Sequence, residues 1–334
     1  MQKARFQKNL LLALKIAVGS SVAIYIAELL KLDFASSAGS IALLTLVTTK
    51  WGTVKLSVAR ILTFGFTVLI AALTFSHGES AWFAYGIFTF ISVLFCESFG
   101  WRPTLSVNAV VGMHFLSTRD FGVASVWNEF LLVCIGVSVA IVLNLVHDYK
   151  SQEKELIRHM RYTEKGLQTV LQEMSMYLDN KPMKQNVWED IHSLEKKLGE
   201  FIKDANEYQD NTFHSHPRYY IDYFEMRKEQ CHLLDHLHYE MKKIKKMPKQ
   251  AKVISEYFAY LQEYVIEINA PTKQLERLEE IFQEMKEEPL PESRDEFESR
   301  AVLYHILMGI EDFVLAKKNF VEKMNPKILE RYWK

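Results

Sequence analysis

Residues 34–49, FASSAGSIALLTLVTT, and residues 103–117, PTLSVNAVVGMHFLS, decide how this chain is read. Each is apolar along its length and ends at polar or charged residues. As helices of 16 and 15 residues they would rise only ~22–24 Å, short of a hydrocarbon core of ~30 Å. They occupy matching places in an apolar block from Asn9 to Val146. That block divides into six expected membrane spans: Asn9–Leu30, Phe34–Thr49, Leu56–Phe75, Ala81–Glu97, Pro103–Ser117 and Ser125–Val146. The short segments are the second and the fifth. Three spans per half force opposite orientations on the halves, so any repeat is a 3+3 inverted one. Short segments at matching positions of inverted repeats point to a transporter's binding site.

Charge placement supports the partition. With the N-terminus in the cytoplasm, the inner ends and loops carry Lys3, Arg5, Lys8, Lys50, Lys55, Arg60, Arg102, Lys150 and Lys154. The outer loops carry only Lys31 and Arg119. This is the positive-inside bias, and an even number of spans places the C-terminal part inside as well. Trp51, Trp82, Trp101 and Trp127 fall near span ends, as interfacial aromatic residues do. A signal peptide is the competing reading, given the small residues Ala35-Ser36-Ser37-Ala38, but the length of the first apolar run and the spans that follow it weigh against cleavage. A soluble core is excluded because six consecutive apolar segments with short loops leave too little polar surface.

Whole-chain averages conceal two opposite compositions. Residues 1–150 carry 11 basic and 7 acidic side chains, a net +4, against −5 for the charge-dense remainder. Ten of the 13 glycines precede residue 150 and seven of the eight prolines follow it. Small residues let helices approach closely in lipid. The expected domains are therefore a membrane block over 1–149 and a cytoplasmic helical bundle over 150–334, giving an all-α protein. The sixth span continues as an amphipathic helix to about Asp179, and further helices are expected over 185–204, 217–246, 249–269, 271–287 and 293–324. The helix over 185–204 places Val187, Ile191, Leu194, Leu198, Phe201 and Ile202 on one face. Pro271 suits a first turn, Ser293 with Glu296 resembles a capping box, and Asn325-Pro326 opens a last short helix.

Candidate site residues lie on the two short spans. Ser37, Ser40 and Thr48 share one face of the second, with Thr45 beside it, and Ser106, His114 and Ser117 share one face of the fifth. Asn108 and Gly112 occupy another face of the fifth span. Ser40, Thr45 and Asn108 are the expected substrate contacts, with Arg102 as a bidentate partner for a carboxylate; a positive-inside anchor is the competing role of Arg102. An ionisable group at mid-depth must face a cavity or a partner. His114 is the expected proton carrier, since imidazole titrates near neutrality, with Glu97 and Glu28 as further candidates near span ends.

In the C-terminal part, His232 and His236 stand four residues apart on one helix face, with His214 and His216 nearby; this is a weak candidate for a metal site, because the ligand set is incomplete. Cys96, Cys134 and Cys231 form no disulfide framework. There is no Walker A loop, Rossmann glycine pattern or nucleophile elbow, so no cofactor and no enzyme activity are expected. Intermixed charges argue against nucleic acid as a partner.

Ser36-Ser-Ala-Gly-Ser40 through Thr48-Thr-Lys-Trp-Gly52, then Ser57-Val-Ala-Arg60 with Gly65, resembles the aromatic acid exporter family, which is related to fusaric-acid-resistance-like permeases. The six-span block followed by a long helical region is similar to the branch with a C-terminal cytoplasmic domain. The charge bias above implies a multi-pass cell-membrane protein with both termini cytoplasmic. The resemblance implies export of aromatic carboxylic acids on an ion gradient. It implies homo-oligomers too. From the residues, a proton-coupled exporter of small organic anions is the leading expectation. The alternatives are a membrane-anchored scaffold or sensor whose bundle binds a ligand or partner, and a metalloenzyme centred on His232 and His236.

Overall fold

The computed structural model describes residues 2–46, 49–76, 80–145, 149–181, 187–212, 218–245 and 247–333. Every regular element among them is helical. The chain divides into two compact units, residues 1–148 with 210–213 and residues 149–209 with 214–334.

The first unit contains α1 (Gln2–Leu29), α2 (Ser36–Leu46), α3 (Lys50–Phe75), α4 (Ala81–Ser98), α5 (Leu105–Thr118) and α6 (Val123–Leu145). A single 3-10 turn, Arg102–Thr104, leads into α5. Four segments are long and apolar enough to cross a membrane: Leu10–Leu29, Lys50–Phe75, Ala81–Ser98 and Val123–Leu145. The helices α2 and α5 have 11 and 14 described residues and fall short of that length. Thr48, grouped with Ser37 and Ser40 from the sequence, lies outside the described residues.

Burial in this unit departs from that of a protein in water, because polar and charged side chains are buried beside its apolar core. Leu10, Leu14, Tyr25, Leu62, Leu69, Leu73, Phe90 and Val142 are exposed, whereas Arg60, Thr63, Thr67, Asn108, Glu129 and Asn144 are buried. An apolar exterior that encloses polar side chains is the arrangement that lipid as solvent selects.

Within the unit, α2 packs on α1 and α6, while α3 packs on α4, α5 and α6. Two glycines allow α2 to lie so close to its neighbours. A Cβ on Gly39 would stand 2.6 Å from Ile24 Cγ1 and 3.0 Å from the Ser20 carbonyl oxygen of α1. A Cβ on Gly136 of α6 would stand 2.6 Å from Ile41 Cγ2 and 2.9 Å from the Ala38 carbonyl oxygen of α2. Backbone cannot yield as a side-chain tip does, so Gly136→Val is expected to lower stability by about 1–3 kcal/mol, the usual cost of overpacking. Thermal unfolding in detergent checks this, with Gly86→Ala, which meets nothing within 4 Å, as the control that should lose no stability.

The second unit contains α7 (Tyr149–Leu178), α8 (Val187–Asn211), α9 (Arg218–Met241), α10 (Gln250–Tyr264), α11 (Thr272–Glu287), α12 (Arg294–Glu322) and α13 (Pro326–Tyr332). The pairs α7–α10 and α9–α12 form its backbone, with α11 against α12. Val187, Ile191, Leu194, Leu198 and Phe201 enter the core from one face of α8, and Ile202 packs at its margin. The helix runs to Asn211 rather than stopping at 204. In turn, α10 ends at Tyr264 rather than 269, with Val265 leaving helical geometry. Ser293 accepts from the Glu296 amide and Asn325 from the Ile328 amide, so both expected caps form. Pro271 stands one position earlier than expected, at the N-cap of α11.

Candidate functional site

Along α3, Thr53, Ser57, Arg60, Thr63 and Thr67 recur every three or four residues and are all buried. This spacing lays a polar stripe down the inner face of an apolar helix. Arg60 is its centre. It lies ten residues into α3, ~15 Å from the start of the helix at 1.5 Å per residue. It is 1% exposed.

The Arg60 guanidinium donates to Thr45 Oγ1 on α2, and more distantly to the Ile41 carbonyl at 3.5 Å and the Leu44 carbonyl at 3.4 Å. Leu44 lies in the last described turn of α2, the end where a helix dipole supplies about half a negative charge. Half a charge does not balance a guanidinium. Arg60 Nε has no hydrogen-bond partner, and no carboxylate among the described residues pairs with it. Two further bonded groups lie in the same unit: the Lys15 ammonium donates to Asn144 Oδ1, and Asn144 Nδ2 donates to Thr53 Oγ1.

Asn108 of α5 is buried on the other side of the α3 stripe. Its Oδ1 accepts from Thr63 Oγ1 at 3.2 Å, and its amide nitrogen faces Thr104 Oγ1 at 3.4 Å and Cys96 Sγ at 3.8 Å. Thr45 and Asn108 are thus both tied to α3, by Arg60 and Thr63 respectively. Ser40 lies on the exposed face of α2 and does not join them.

A second polar centre stands at the opposite end of α2. His114 Nδ1 is 2.7 Å from Glu129 Oε2, and His114 Nε2 is 2.9 Å from Ser37 Oγ. The two side chains are 12% and 4% exposed. Asn128 Nδ2 donates to the other carboxylate oxygen at 3.3 Å. Phe34 stacks on the imidazole with ring centroids 4.2 Å apart and planes inclined by 7°. It does so from a left-handed backbone conformation, φ 58°. That conformation costs a side-chain-bearing residue about 1–2 kcal/mol. The imidazole and the carboxylate form one buried hydrogen-bonded pair, extended on either side to Ser37 and Asn128. On α2, Ser37 and Thr45 are eight residues apart, which sets the two centres ~12 Å from each other along one helix.

The other candidates fall elsewhere. Arg102 pairs with Glu97 at 3.3 Å, with side chains 79% and 50% exposed, which suits an interfacial anchor better than an enclosed carboxylate site. Glu97 accordingly stands apart from His114. His232 and His236 face each other at 3.3 Å between Nε2 atoms on an exposed face of α9. No group of three metal-ligating side chains gathers among the described residues, and His214 and His216 lie outside them. Neighbouring Cys231 donates to the Ile191 carbonyl, and burial pushes its thiol up to about 12, so it stays protonated.

Two features were not singled out from the sequence: the α3 stripe and Glu129. The stripe has a signal in the three- and four-residue recurrence of Thr53, Ser57, Arg60, Thr63 and Thr67. Glu129 has a weaker one, as the single acidic residue within the last long apolar run.

A family model described as "Aromatic acid exporter family member 1" matches residues 11–147, and a model described as "Putative aromatic acid exporter C-terminal domain" matches residues 153–318. The chain is 28% identical over 313 residues to "Uncharacterized protein YqjA" of Bacillus subtilis (strain 168), covering 92% of this chain and 94% of that protein. A solved structure titled "Crystal structure of putative membrane protein from Clostridium difficile 630" is 23% identical, with a TM-score of 0.45, over 51% of this chain and 98% of its own. With its membrane unit and its C-terminal unit each matched by a model from the same family, the chain belongs to the aromatic acid exporter family, a family of membrane transporters.

Proposed function

We propose that this protein exports small aromatic carboxylates across the cell membrane in exchange for protons, with Arg60 as the carboxylate anchor. One observation carries the reading: a fully buried guanidinium on a membrane-length helix, lacking a carboxylate partner among the described residues and holding an unbonded Nε. An arginine at mid-depth costs roughly 2.5–3.5 kcal/mol even on the lenient insertion scales. An anionic substrate offsets that cost each time it binds. Thr45 completes the anchor, and Asn108 offers amide and carbonyl groups to polar ring substituents through the Thr63 side of the stripe. Ser40 and Arg102 have no part in this site.

The His114–Glu129 pair is the proton carrier. Exchanging an outgoing carboxylate for an incoming proton moves two charges in the sense favoured by a negative interior, worth ~2.3 kcal/mol per charge at 100 mV. The helices α2 and α5 enter the membrane from opposite sides as short spans, which gives six crossings in two inverted halves, both termini in the cytoplasm and the C-terminal bundle on that side. Because Ser37 meets the proton pair and Thr45 meets Arg60, movement of α2 would link the two events.

Efflux of labelled benzoate, 4-hydroxybenzoate and cinnamate from proteoliposomes, with and without a pH gradient, tests the proposal. Flux that follows the gradient is the expected result. Its absence across a broad panel of aromatic acids would overturn the assignment and favour a membrane-anchored sensor.

A further inference from the structure

The C-terminal unit holds a second enclosed cationic site. Arg227 on α9 is 1% exposed, and its Nη1 donates to Gln230 Oε1 at 2.8 Å. Its Nε and Nη2 have no hydrogen-bond partner, and the nearest carboxylate, Glu164, is 4.0 Å from Nη2. Lys317 on α12 is also buried, donating to the Glu267 carbonyl at 2.7 Å. Both cations line one recess of about 20 Å³, with Leu261, Phe313 and Val314 as apolar walls and Tyr264 and Asn269 at its rim. That volume suits one water-sized group.

The surrounding carboxylates are already engaged. Glu164 accepts from Arg161 and from Tyr223, and Glu267 accepts from Arg161 and from Tyr219. Two carboxylates therefore face three cationic side chains, Arg161, Arg227 and Lys317, and cannot balance all three when Lys317 is charged. A buried guanidinium with no hydrogen-bond partner at Nε and Nη2, beside a buried amine that gains charge as pH falls, is an arrangement that desolvation disfavours unless an anion enters.

We propose that this recess binds one monovalent anion, a halide or the carboxylate group of a small acid, between Arg227 and Lys317. The site lies in the C-terminal unit and does not depend on the transport reading. Groups facing Lys317 are Arg227 and Tyr223 from α9, Glu164 from α7, Glu267 after α10, and Phe320 and Trp333. Burial, reinforced by Arg227, pushes the Lys317 ammonium down to about 6. An anion stabilises its charged form, so binding takes up a proton and strengthens as pH falls through that region.

The test is hydrogen exchange of the full-length protein in detergent, titrated with sodium chloride, formate or benzoate at constant ionic strength set by isethionate, whose sulfonate head is bulkier than a carboxylate. Saturable slowing confined to α9, α12 and the α10–α11 connection is expected, with a midpoint at least fivefold lower at pH 6 than at pH 8. Lys317→Met and Arg227→Met should raise the midpoint tenfold or more. Should those variants not fold, the pH comparison in the wild type decides alone. Saturation by chloride and formate only identifies a free small anion as the ligand; saturation by benzoate as well identifies the head group of an aromatic acid. No saturable protection, or protection independent of pH and of both variants, would mean that the recess holds water and would overturn the proposal.

Discussion

Arg60→Met is expected to lower the transport efficiency for aromatic carboxylates at least ~100-fold while leaving the fold as stable as before or more so. Two charge-assisted hydrogen bonds to a carboxylate are worth about 1.5–3 kcal/mol each, and every 1.4 kcal/mol is a factor of ten. The stability arm separates this from a structural role. The guanidinium is held by one hydroxyl and two long contacts to α2 carbonyls, with Nε unbonded, so its removal relieves an undercompensated charge. Arg60→Lys keeps the charge but loses the planar fork, and intermediate flux is expected from it. The variant lacking the charge should also discriminate less against uncharged amide analogues of the substrate. Flux assays paired with thermal unfolding of Arg60→Met read both arms. A large fall in stability with proportionate loss of all substrates would identify Arg60 as a cap for α2 and remove it from the site.

Much of this architecture is legible in the sequence because lipid and water impose simple rules on it. Four of the apolar runs, long enough to span, and the caps at Ser293 and Asn325 depend on neighbours in sequence, and these appear in the structure. The shortness of α2 and α5 is equally local. The depth of a charge is less so. Starting the third span at Leu56 makes Arg60 look like an anchor at the cytoplasmic end, but α3 begins at Lys50 with Thr49 as its cap, and this places Arg60 a further turn and a half inside. A helical wheel groups Ser37 with Ser40, yet it contains no information on which edge of that face meets another helix: Ser37 reaches His114 while Ser40 is exposed. Glu129 was the hardest to see, because its significance comes from an imidazole on a different helix, and no period or motif connects them.

That pairing leads to the other large effect. Glu129→Gln keeps the size of the side chain and much of its hydrogen bonding to His114 and Asn128 but removes the carboxylate proposed to carry the proton with His114. With one proton exchanged per carboxylate, a gradient of one pH unit supplies about 1.4 kcal/mol, enough for a tenfold difference in substrate concentration across the membrane. In Glu129→Gln this accumulation should fall to the level set by membrane potential alone, while exchange of labelled for unlabelled substrate at equal pH persists near the wild-type rate. His114→Gln should behave the same way, and combining the two should add little, since either change removes the same shared proton. Glu129→Asp should restore part of the pH dependence, because the shorter side chain still presents a carboxylate to the imidazole. Proteoliposomes with imposed pH gradients and clamped potential make the measurement. If exchange and gradient-driven accumulation fall together in Glu129→Gln, with no recovery in Glu129→Asp, then the pair only holds α5 against α6, and the proton must travel by another route.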